Sequence, residues 1–294
     1  MQAVIIIGAG PAGITTAIQL RRYGLSPLLF ESNRVGGLLW NANLVENYPG
    51  FPEGIAGPAL VTRFKEQLER HTQPIQSECI VQVEKTSAGF LVHSNKAQYR
   101  ANIIVLASGT VPHTFTSFDI PSEIHSRIFY EVYPLTKCKQ QTIIIVGAGD
   151  AAFDYALNLG RANKIIILNR TDHHKCLPLL WERVKDVPNI QYLTNTRITS
   201  LRGGENKKIR LQCSCPDGAI ELKADYLLGA IGRKPNLSYL TPHVQAELQE
   251  LRAGGLVHLI GDVQRGIFRQ TSIAVGDGMI AAMQIYRYLL ETKK

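Results

Sequence analysis

An α/β fold of two domains, one inserted into the other, is predicted by three features of the sequence. Two glycine-rich turns, Gly8-Ala9-Gly10-Pro11-Ala12-Gly13 and Gly147-Ala148-Gly149-Asp150-Ala151-Ala152, lie one in each half of the chain. Each follows a run of β-branched residues and opens an apolar, helix-patterned segment. Each is followed, one helix later, by a second apolar strand that ends in polar residues: Glu31 after the first turn, Asn169 and Arg170 after the second. This order is that of a Rossmann-like dinucleotide site. Its glycines allow the tight turn and close backbone approach, and the helix presents free N–H groups and its positive end to a pyrophosphate. A single such turn is a weak signal, but two in the right context predict two sites. Gly8, Gly10, Pro11, Ala12 and Gly13 form the first, and Gly147, Gly149, Asp150 and Ala151 the second.

The ends of the second strands separate the two sites. Leu25 to Glu31 ends in a carboxylate where a ribose diol would be accepted, so the first site suits the adenosine ribose of FAD or NAD. Lys164 to Arg170 ends in an amide beside a cation. Arg170, with Lys175 as a second candidate, would welcome a 2′-phosphate that a carboxylate would repel, so the second site reads as NADP(H) before NAD(H). The plain alternative for both cations is an ordinary solvated loop.

The remaining elements close the two sheets. Ala101 to Thr110 is a buried strand running into the small-residue turn Ala107-Ser108-Gly109. Pro112, Pro121 and Pro134 punctuate a connecting stretch, which puts the boundary near residues 112 to 120. The second unit ends with Tyr226 to Pro235, and Leu256 to Asp262 is a further strand that closes on Gly261-Asp262. A long amphipathic helix follows from about Ser272 to Leu290. The first domain is thus expected to be discontinuous, residues 1–114 and 244–294, with the inserted domain at 115–243.

Composition excludes several classes. The 294 residues are 45% hydrophobic and 19% charged, a globular balance with room for two cores. A first strand beginning near Ala3 is expected to leave no room for a signal peptide, no apolar run reaches the length of a membrane span, and cytoplasmic residence is expected. The five cysteines are odd in number and scattered, so neither a disulfide framework nor a metal site is expected. The net charge of +8 suggests acidic partners, but the basic residues lack the interleaved aromatics of a nucleic-acid site.

The chain resembles the low-molecular-weight thioredoxin reductase fold family of flavoproteins over nearly its full length. The resemblance is carried by Gly8 to Gly13, Glu31, Val35-Gly36-Gly37-Leu38, Val45 to Gly50, Ala107-Ser108-Gly109, Ala230 to Asn236, Gly261-Asp262 and Phe268-Arg269-Gln270. It implies FAD and NADP(H) as cofactors and a homodimer. It also implies that Gly36, Gly37, Leu38 and Asn47 line the flavin side of the FAD site, that Asp262 binds the ribityl chain, and that Arg269, Gln270 and Thr271 approach the isoalloxazine. Ile231, Gly232 and Arg233 complete the set. Taken singly, Asn47 or Gln270 could be a loop amide satisfying its own backbone. If the last helix starts at the flavin, its free N–H groups stabilise the negative charge of the reduced ring, and hydride transfer from nicotinamide needs no acid, base or nucleophile from the protein.

The dithiol departs from this pattern. Thioredoxin reductases carry Cys-x-x-Cys shortly before the second glycine turn, and that window here reads Tyr130-Glu131-Val132-Tyr133. Thiol–disulfide exchange needs two sulfurs in mutual reach, so electrons would have to leave the flavin by another route. Tyr130 and Tyr133 could cover the flavin or simply pack a hinge, and Cys213 and Cys215 share one face of a strand, where packing is the ordinary use. The segment Ile128 to Val132 also resembles the ferredoxin or flavodoxin NADP reductases of the same fold, although Thr171 stands where the usual NADP site has a second arginine. Three readings follow. The first is an NADPH oxidoreductase serving an acidic carrier such as ferredoxin or flavodoxin. The second is a flavin-site reductase of disulfides, quinones or other small acceptors, and the third a non-catalytic FAD-binding sensor or subunit.

Overall fold

The computed structural model describes residues 2–71, 73–205 and 208–292. The chain divides into two compact units, one of residues 1–40, 45–111 and 234–294, the other of 41–44 and 112–233.

In the first unit, β1 (Gln2–Ile7), α1 (Pro11–Arg22) and β2 (Leu28–Glu31) make the predicted strand–helix–strand motif, with β1 and β2 parallel. After α2 (Gly57–Arg70) come β3 (Ile75–Ser77), β4 (Ile80–Thr86), β5 (Gly89–Ser94) and β6 (Gln98–Leu106). The sheet order is β3-β2-β1-β6-β5-β4. Ile5, Ile104 and Leu106 are buried in strands covered on both faces, which is why these runs read as uninterrupted β-branched sequence. The β4–β5 hairpin is antiparallel; β5 alternates, with Phe90 and Val92 buried, whereas a register shift between Ile80 and Gln82 leaves both Val81 and Gln82 exposed in β4 before Val83 turns inward.

The main part of the second unit begins at Pro112, the last residue of β7 (Thr110–Pro112). It holds β8 (Ile128–Phe129), β9 (Thr142–Val146), α3 (Asp150–Leu159), β10 (Lys164–Leu168), α4 (Pro178–Val184) and β11 (Ile190–Leu193). Next come β12 (Arg197–Gly203), β13 (Ile209–Cys215), β14 (Gly218–Ala224) and β15 (Tyr226–Gly229). The parallel sheet runs β11-β10-β9-β15-β8, and β12-β13-β14 form a separate antiparallel sheet. Alternate residues of β9 and β10 supply two cores. Ile143, Ile145, Ile165 and Ile167 pack with Phe153 of α3, and Ile144, Ile166 and Leu168 pack with Leu201, Ile209 and Leu211 of the antiparallel layer.

The chain leaves the second unit through β16 (Arg233–Pro235), which pairs with β7, and continues as α5 (Pro242–Ala246), α6 (Leu248–Ala253), β17 (Val257–Leu259) and α7 (Thr271–Glu291). β17 pairs in parallel with β6. α7 lies close on α1 because Gly278 has no side chain: a Cβ there would sit 2.3 Å from the Ala12 carbonyl oxygen, and the Thr16 hydroxyl donates to the Gly278 carbonyl oxygen at 3.1 Å.

Three boundaries differ from expectation. Residues 112–114 fall in the second unit rather than in the first. Residues 234–243 belong to the first unit rather than to an inserted stretch 115–243, because Tyr239 and Leu240 are buried in the core with Val83 and Phe90. The short segment 41–44 belongs to the second unit. The Asp154 carboxylate accepts the Asn43 N–H at 2.9 Å, and Arg161 donates to the Asn43 side-chain oxygen at 3.1 Å.

Burial raises the Asp154 pKa to about 6, outweighing the N–H groups of Asn43 and Leu44 and the charge of Arg161, which lower it. A carboxyl whose folded pKa exceeds its unfolded value favours the fold at low pH, and that contribution is lost as pH rises through about 6. Asp154→Asn keeps an acceptor oxygen for both N–H groups without the charge. At pH 7.5 it should be more stable than the parent by up to roughly 3 kcal/mol, with no advantage near pH 4. Urea midpoints at the two pH values check this, and a variant less stable at pH 7.5 contradicts it.

Candidate active site: two dinucleotide cradles

The two glycine turns are built alike. In each, the first glycine is crowded: a Cβ on Gly8 would sit 2.4 Å from the Ala107 carbonyl oxygen, and one on Gly147 2.3 Å from that of Ala230. Both have positive φ, +104° and +136°. In each, the middle glycine is open, with nothing within 4 Å of where a Cβ would stand on Gly10 or Gly149. These middle glycines are also the N-caps of α1 and α3, so no side chain takes the first-turn N–H groups. A crowded glycine that fixes the turn and an open one at a helix N-terminus fit a pyrophosphate. Gly13, the third glycine of the first turn, has its Cβ direction 1.9 Å from the Gly8 carbonyl oxygen, whereas the second turn has Ala152 there.

Around the first turn, Glu31 accepts the Ala9 N–H through one oxygen and the Asn33 N–H through the other, both at 2.9 Å. The carboxylate is thereby fixed at the end of β2, and each oxygen keeps a lone pair for a ribose hydroxyl. The Gly36 N–H donates to the Ala9 carbonyl oxygen at 2.8 Å and Gly37 lies against Gly10, which brings the Gly36-Gly37-Leu38 stretch to the turn. From the far end of the unit, Gly261 approaches Ala12, and Asp262 follows in a short 3-10 turn. The Asn47 amide donates to the Gln270 side-chain oxygen at 2.9 Å, and the Ser272 hydroxyl donates to the Asn47 carbonyl oxygen at 3.1 Å. Asn47, Gln270 and Thr271 therefore meet at the start of α7, with Arg269 one residue before.

Asp277 was not singled out by the sequence. It is buried, accepts the Gly261 N–H at 3.0 Å, and pairs with the Arg265 guanidinium through Nε at 2.9 Å. Burial by itself raises its pKa, but the hydrogen bonds from Arg265, Gly261 and Gln264 outweigh this and leave it lowered. Asp277 thus pins the turn that carries Asp262. Asp277→Ala should weaken FAD retention about tenfold, because the turn loses its anchor and the Gly261 N–H its acceptor, while the half-exposed Arg265 can turn to solvent. The FAD dissociation constant checks this, and an unchanged value contradicts it.

Ala107 and Ser108 serve the framework. The Ala107 carbonyl crowds Gly8, while the Ser108 hydroxyl donates to the Asn236 carbonyl oxygen at 2.6 Å and accepts the Tyr239 hydroxyl at 2.8 Å. Gly109 lies at φ +63° with open space on its Cβ side, and its carbonyl accepts the Asn236 N–H.

In the second unit, the loop from Asn169 to Leu177 is stitched to the glycine turn. The Lys175 N–H donates to the Ala148 carbonyl oxygen at 2.7 Å, and the Leu177 N–H to the Asp150 carboxylate at 2.8 Å. Asp150 therefore positions the loop, and Ala151 opens the first turn of α3 beside it. Asn169 is buried, and its amide donates to the His173 carbonyl oxygen and the Tyr192 hydroxyl, both at 2.9 Å. Its oxygen accepts from Thr171. It shapes the loop from within, while Arg170 and Lys175 are exposed on it. The Cys176 thiol lies 3.3 Å from His174 Nδ1, and burial pushes its pKa up.

The closing motif of this unit contributes Ile231, Gly232 at φ +100° and Arg233. Arg233 pairs with Glu131 at 2.7 Å, and Glu131 also accepts the Asn41 amide. The Tyr130 ring packs against Gly229 and Phe115, and its hydroxyl accepts the Phe115 N–H at 2.9 Å. Tyr130 thus has a packing task inside the unit that the expectation of a flavin cover did not include. Tyr133 is half-buried, and its N–H donates to the Asn41 side-chain oxygen at 3.1 Å. Cys213 faces the core with its pKa raised by burial to about 11, and the Cys215 thiol donates to the Gly218 carbonyl oxygen, in keeping with packing. Among the described residues no cluster of His, Cys, Asp or Glu could hold a metal, and no helix is long and apolar enough to cross a membrane.

The pyridine nucleotide-disulphide oxidoreductase family matches residues 2–278. The chain belongs to this family. It is similar to thioredoxin reductase of Mycolicibacterium smegmatis, 30% identical with 98% of this chain and 96% of that protein covered. It is 33% identical to NADPH-dependent thioredoxin reductase 3 of Arabidopsis thaliana over 98% of this chain, which spans 58% of that relative's length. Among solved structures, Lactococcus lactis thioredoxin reductase in its FR conformation superposes with a TM-score of 0.87 at 25% identity, covering 99% of this chain and 100% of that one. The fold is therefore that of two Rossmann-like domains, one inserted into the other, and the family's cofactors are FAD and NADPH. Within this family the chain is an FAD-dependent pyridine-nucleotide oxidoreductase of thioredoxin-reductase type, and both cradles fit their groups by the crowded-then-open glycine pattern. Yet no two of its five cysteines stand three residues apart.

Proposed function

We propose that the chain takes a hydride from NADPH and passes the electrons from FAD directly to an external acceptor, an acidic carrier protein of the ferredoxin or flavodoxin kind. FAD supplies the step from two-electron to one-electron chemistry. The balance is one NADPH and two oxidised carriers giving NADP⁺, a proton and two singly reduced carriers. The observation that carries this reading is the window Tyr130 to Tyr133, where dithiol relatives hold their relay and where Glu131 is engaged by Arg233 and Asn41. The +8 charge supports an acidic partner through electrostatic steering.

In this reading Glu31 holds the FAD ribose and Asp262 its ribityl chain. Gly36, Gly37, Leu38 and Asn47 line the flavin side, and Arg269, Gln270 and Thr271 meet the ring. The N-terminus of α7 favours negative charge on the reduced flavin. Gly147 and Gly149 cradle the NADPH pyrophosphate, and Arg170 and Lys175 take the 2′-phosphate.

A second reading is favoured by the names of the relatives: a disulfide acceptor, either thioredoxin or a small disulfide, reduced at the flavin without a dithiol on this chain. None of the relatives described above is named for ferredoxin or flavodoxin. Steady-state turnover with thioredoxin, ferredoxin and flavodoxin at rising salt separates the two. The proposal expects carrier reduction that falls as salt screens the charges. Carrier turnover indifferent to salt overturns the electrostatic basis, and thioredoxin turnover alone installs the second reading.

Arg170→Ala should raise the NADPH KM about 10- to 100-fold, a charge-assisted contact of about 1.5 to 3 kcal/mol, with the NADH KM little changed. Lys175→Ala should do the same to a smaller degree. Equal losses for both nucleotides would remove these residues from the 2′-phosphate.

A further inference from the structure

The loop from Asn169 to Leu177 fixes one ring that a dinucleotide motif does not call for, that of His174. Its neighbours on both sides are tied down. The His173 carbonyl accepts the Asn169 amide at 2.9 Å, and the Lys175 N–H donates to the Ala148 carbonyl oxygen of the glycine turn at 2.7 Å. The ring stacks on Trp181, with centroids 4.5 Å and planes 16° apart, and packs at 5.9 Å against Phe153 near the start of α3. Its Nδ1 lies 3.3 Å from the Cys176 thiol. A thiol offers its hydrogen to an imidazole nitrogen at this distance, so Nδ1 accepts and the neutral ring carries its own hydrogen on Nε2. Burial, which raises the thiol pKa, favours that arrangement. Nε2 has no partner among the described residues and is open to solvent.

The rest of the loop gives this nitrogen a phosphate to meet. Arg170 and Lys175 flank it, both exposed and neither with a carboxylate partner among the described residues. The loop's own acid, Asp172, is paired with the exposed His173, and Asp150 at the start of α3 is engaged by the Leu177 N–H. Thr171 stands where the resemblance puts a second arginine, and its hydroxyl is turned to Asn169 and the His173 carbonyl. A pyrophosphate has the free N–H groups of α3, whereas a 2′-phosphate on this loop has two cations and lacks a third donor.

We propose that His174 is the third contact of the NADPH 2′-phosphate, an N–H donor held by Cys176 and Trp181 that stands in for the missing arginine and adds to the preference for NADPH over NADH. This rests on the assignment of Arg170 and Lys175 to the 2′-phosphate proposed above. The test uses the FAD-loaded full chain with ferricyanide as acceptor. It compares the KM for NADPH and NADH, and inhibition by 2′,5′-ADP and 5′-AMP, in the parent, His174→Phe, His174→Gln and Arg170→Ala. His174→Phe keeps the stack but has no nitrogen. It should raise the NADPH KM and the 2′,5′-ADP inhibition constant about tenfold, the loss of one hydrogen bond to a charged group. The NADH KM, inhibition by 5′-AMP and kcat should not move. His174→Gln, whose amide nitrogen reaches the place of Nε2, should stay within about threefold of the parent. An unchanged NADPH KM in His174→Phe, beside a selective loss in Arg170→Ala, overturns this proposal alone. Equal losses for NADPH and NADH in His174→Phe overturn it too, since the ring would then only shape the loop, and a His174→Gln as weak as His174→Phe removes the donor role. If neither His174→Phe nor Arg170→Ala separates the two nucleotides, the assignment of the loop to the 2′-phosphate falls together with this proposal.

Discussion

Gly13→Ala is expected to purify without FAD. The added methyl points at the Gly8 carbonyl oxygen from 1.9 Å, and neither group can yield, since one is on the first turn of α1 and the other belongs to the turn itself. Relief requires moving the helix away from the turn, which costs about 1 to 3 kcal/mol in packing and displaces the N–H groups meant for the pyrophosphate. The two losses act together, so FAD content should fall below about a tenth of stoichiometric. Circular dichroism shows whether the chain is folded, and FAD absorbance per folded chain decides the matter. A stoichiometric yellow Gly13→Ala protein would mean that the first turn is not where the pyrophosphate sits.

The matching change in the second unit, Gly147→Ala, should leave the protein yellow but unreactive toward NADPH. Here the methyl would stand 2.3 Å from the Ala230 carbonyl oxygen, at φ +136°, a backbone conformation that side chains other than glycine rarely adopt. The strain falls on the β9–α3 turn and on Ala230, which opens the Ile231-Gly232-Arg233 motif, while the first cradle lies in the other unit. Bleaching of the flavin by NADPH should slow by a factor of about 100 or more, with FAD content unchanged. Equal loss of FAD in this variant would show that the two cradles do not work separately.

The parts of this protein fixed by local chemistry were legible before folding. The glycine turns, the carboxylate at the end of β2 and the β-branched runs of β1, β9 and β10 are each contained in a few consecutive residues. The long last helix, expected from about Ser272 to Leu290, runs Thr271–Glu291. What was missed depends on distant partners. Asp277 looks like a stray acid in an apolar helix until Arg265 and the Gly261 N–H are brought to it. The one local hint is a carboxylate on a face that is otherwise buried. Asn169, expected as a nucleotide contact by its position, also has a framework role that only distant partners reveal, its amide donating to the His173 carbonyl oxygen and the Tyr192 hydroxyl. Tyr239 and Leu240 pack under the first sheet, although nothing in the sequence around 234–243 marks a return to the first unit. The antiparallel strands β12 to β14 did carry a signal, the alternation Ile209, Leu211, Cys213, which fits a strand with one buried face.

The central claim is that electrons leave this chain without passing through its own sulfur. The direct test replaces all five cysteines, Cys79, Cys138 and Cys215 by Ser and the buried Cys176 and Cys213 by Ala, and measures NADPH-driven turnover with ferredoxin, flavodoxin and thioredoxin against the parent. The account predicts that the cysteine-free protein reduces the carriers at the parent's rate. A parent that turns over its acceptor only while its cysteines are present, with the cysteine-free protein still bleached by NADPH but unable to pass the electrons on, would contradict it.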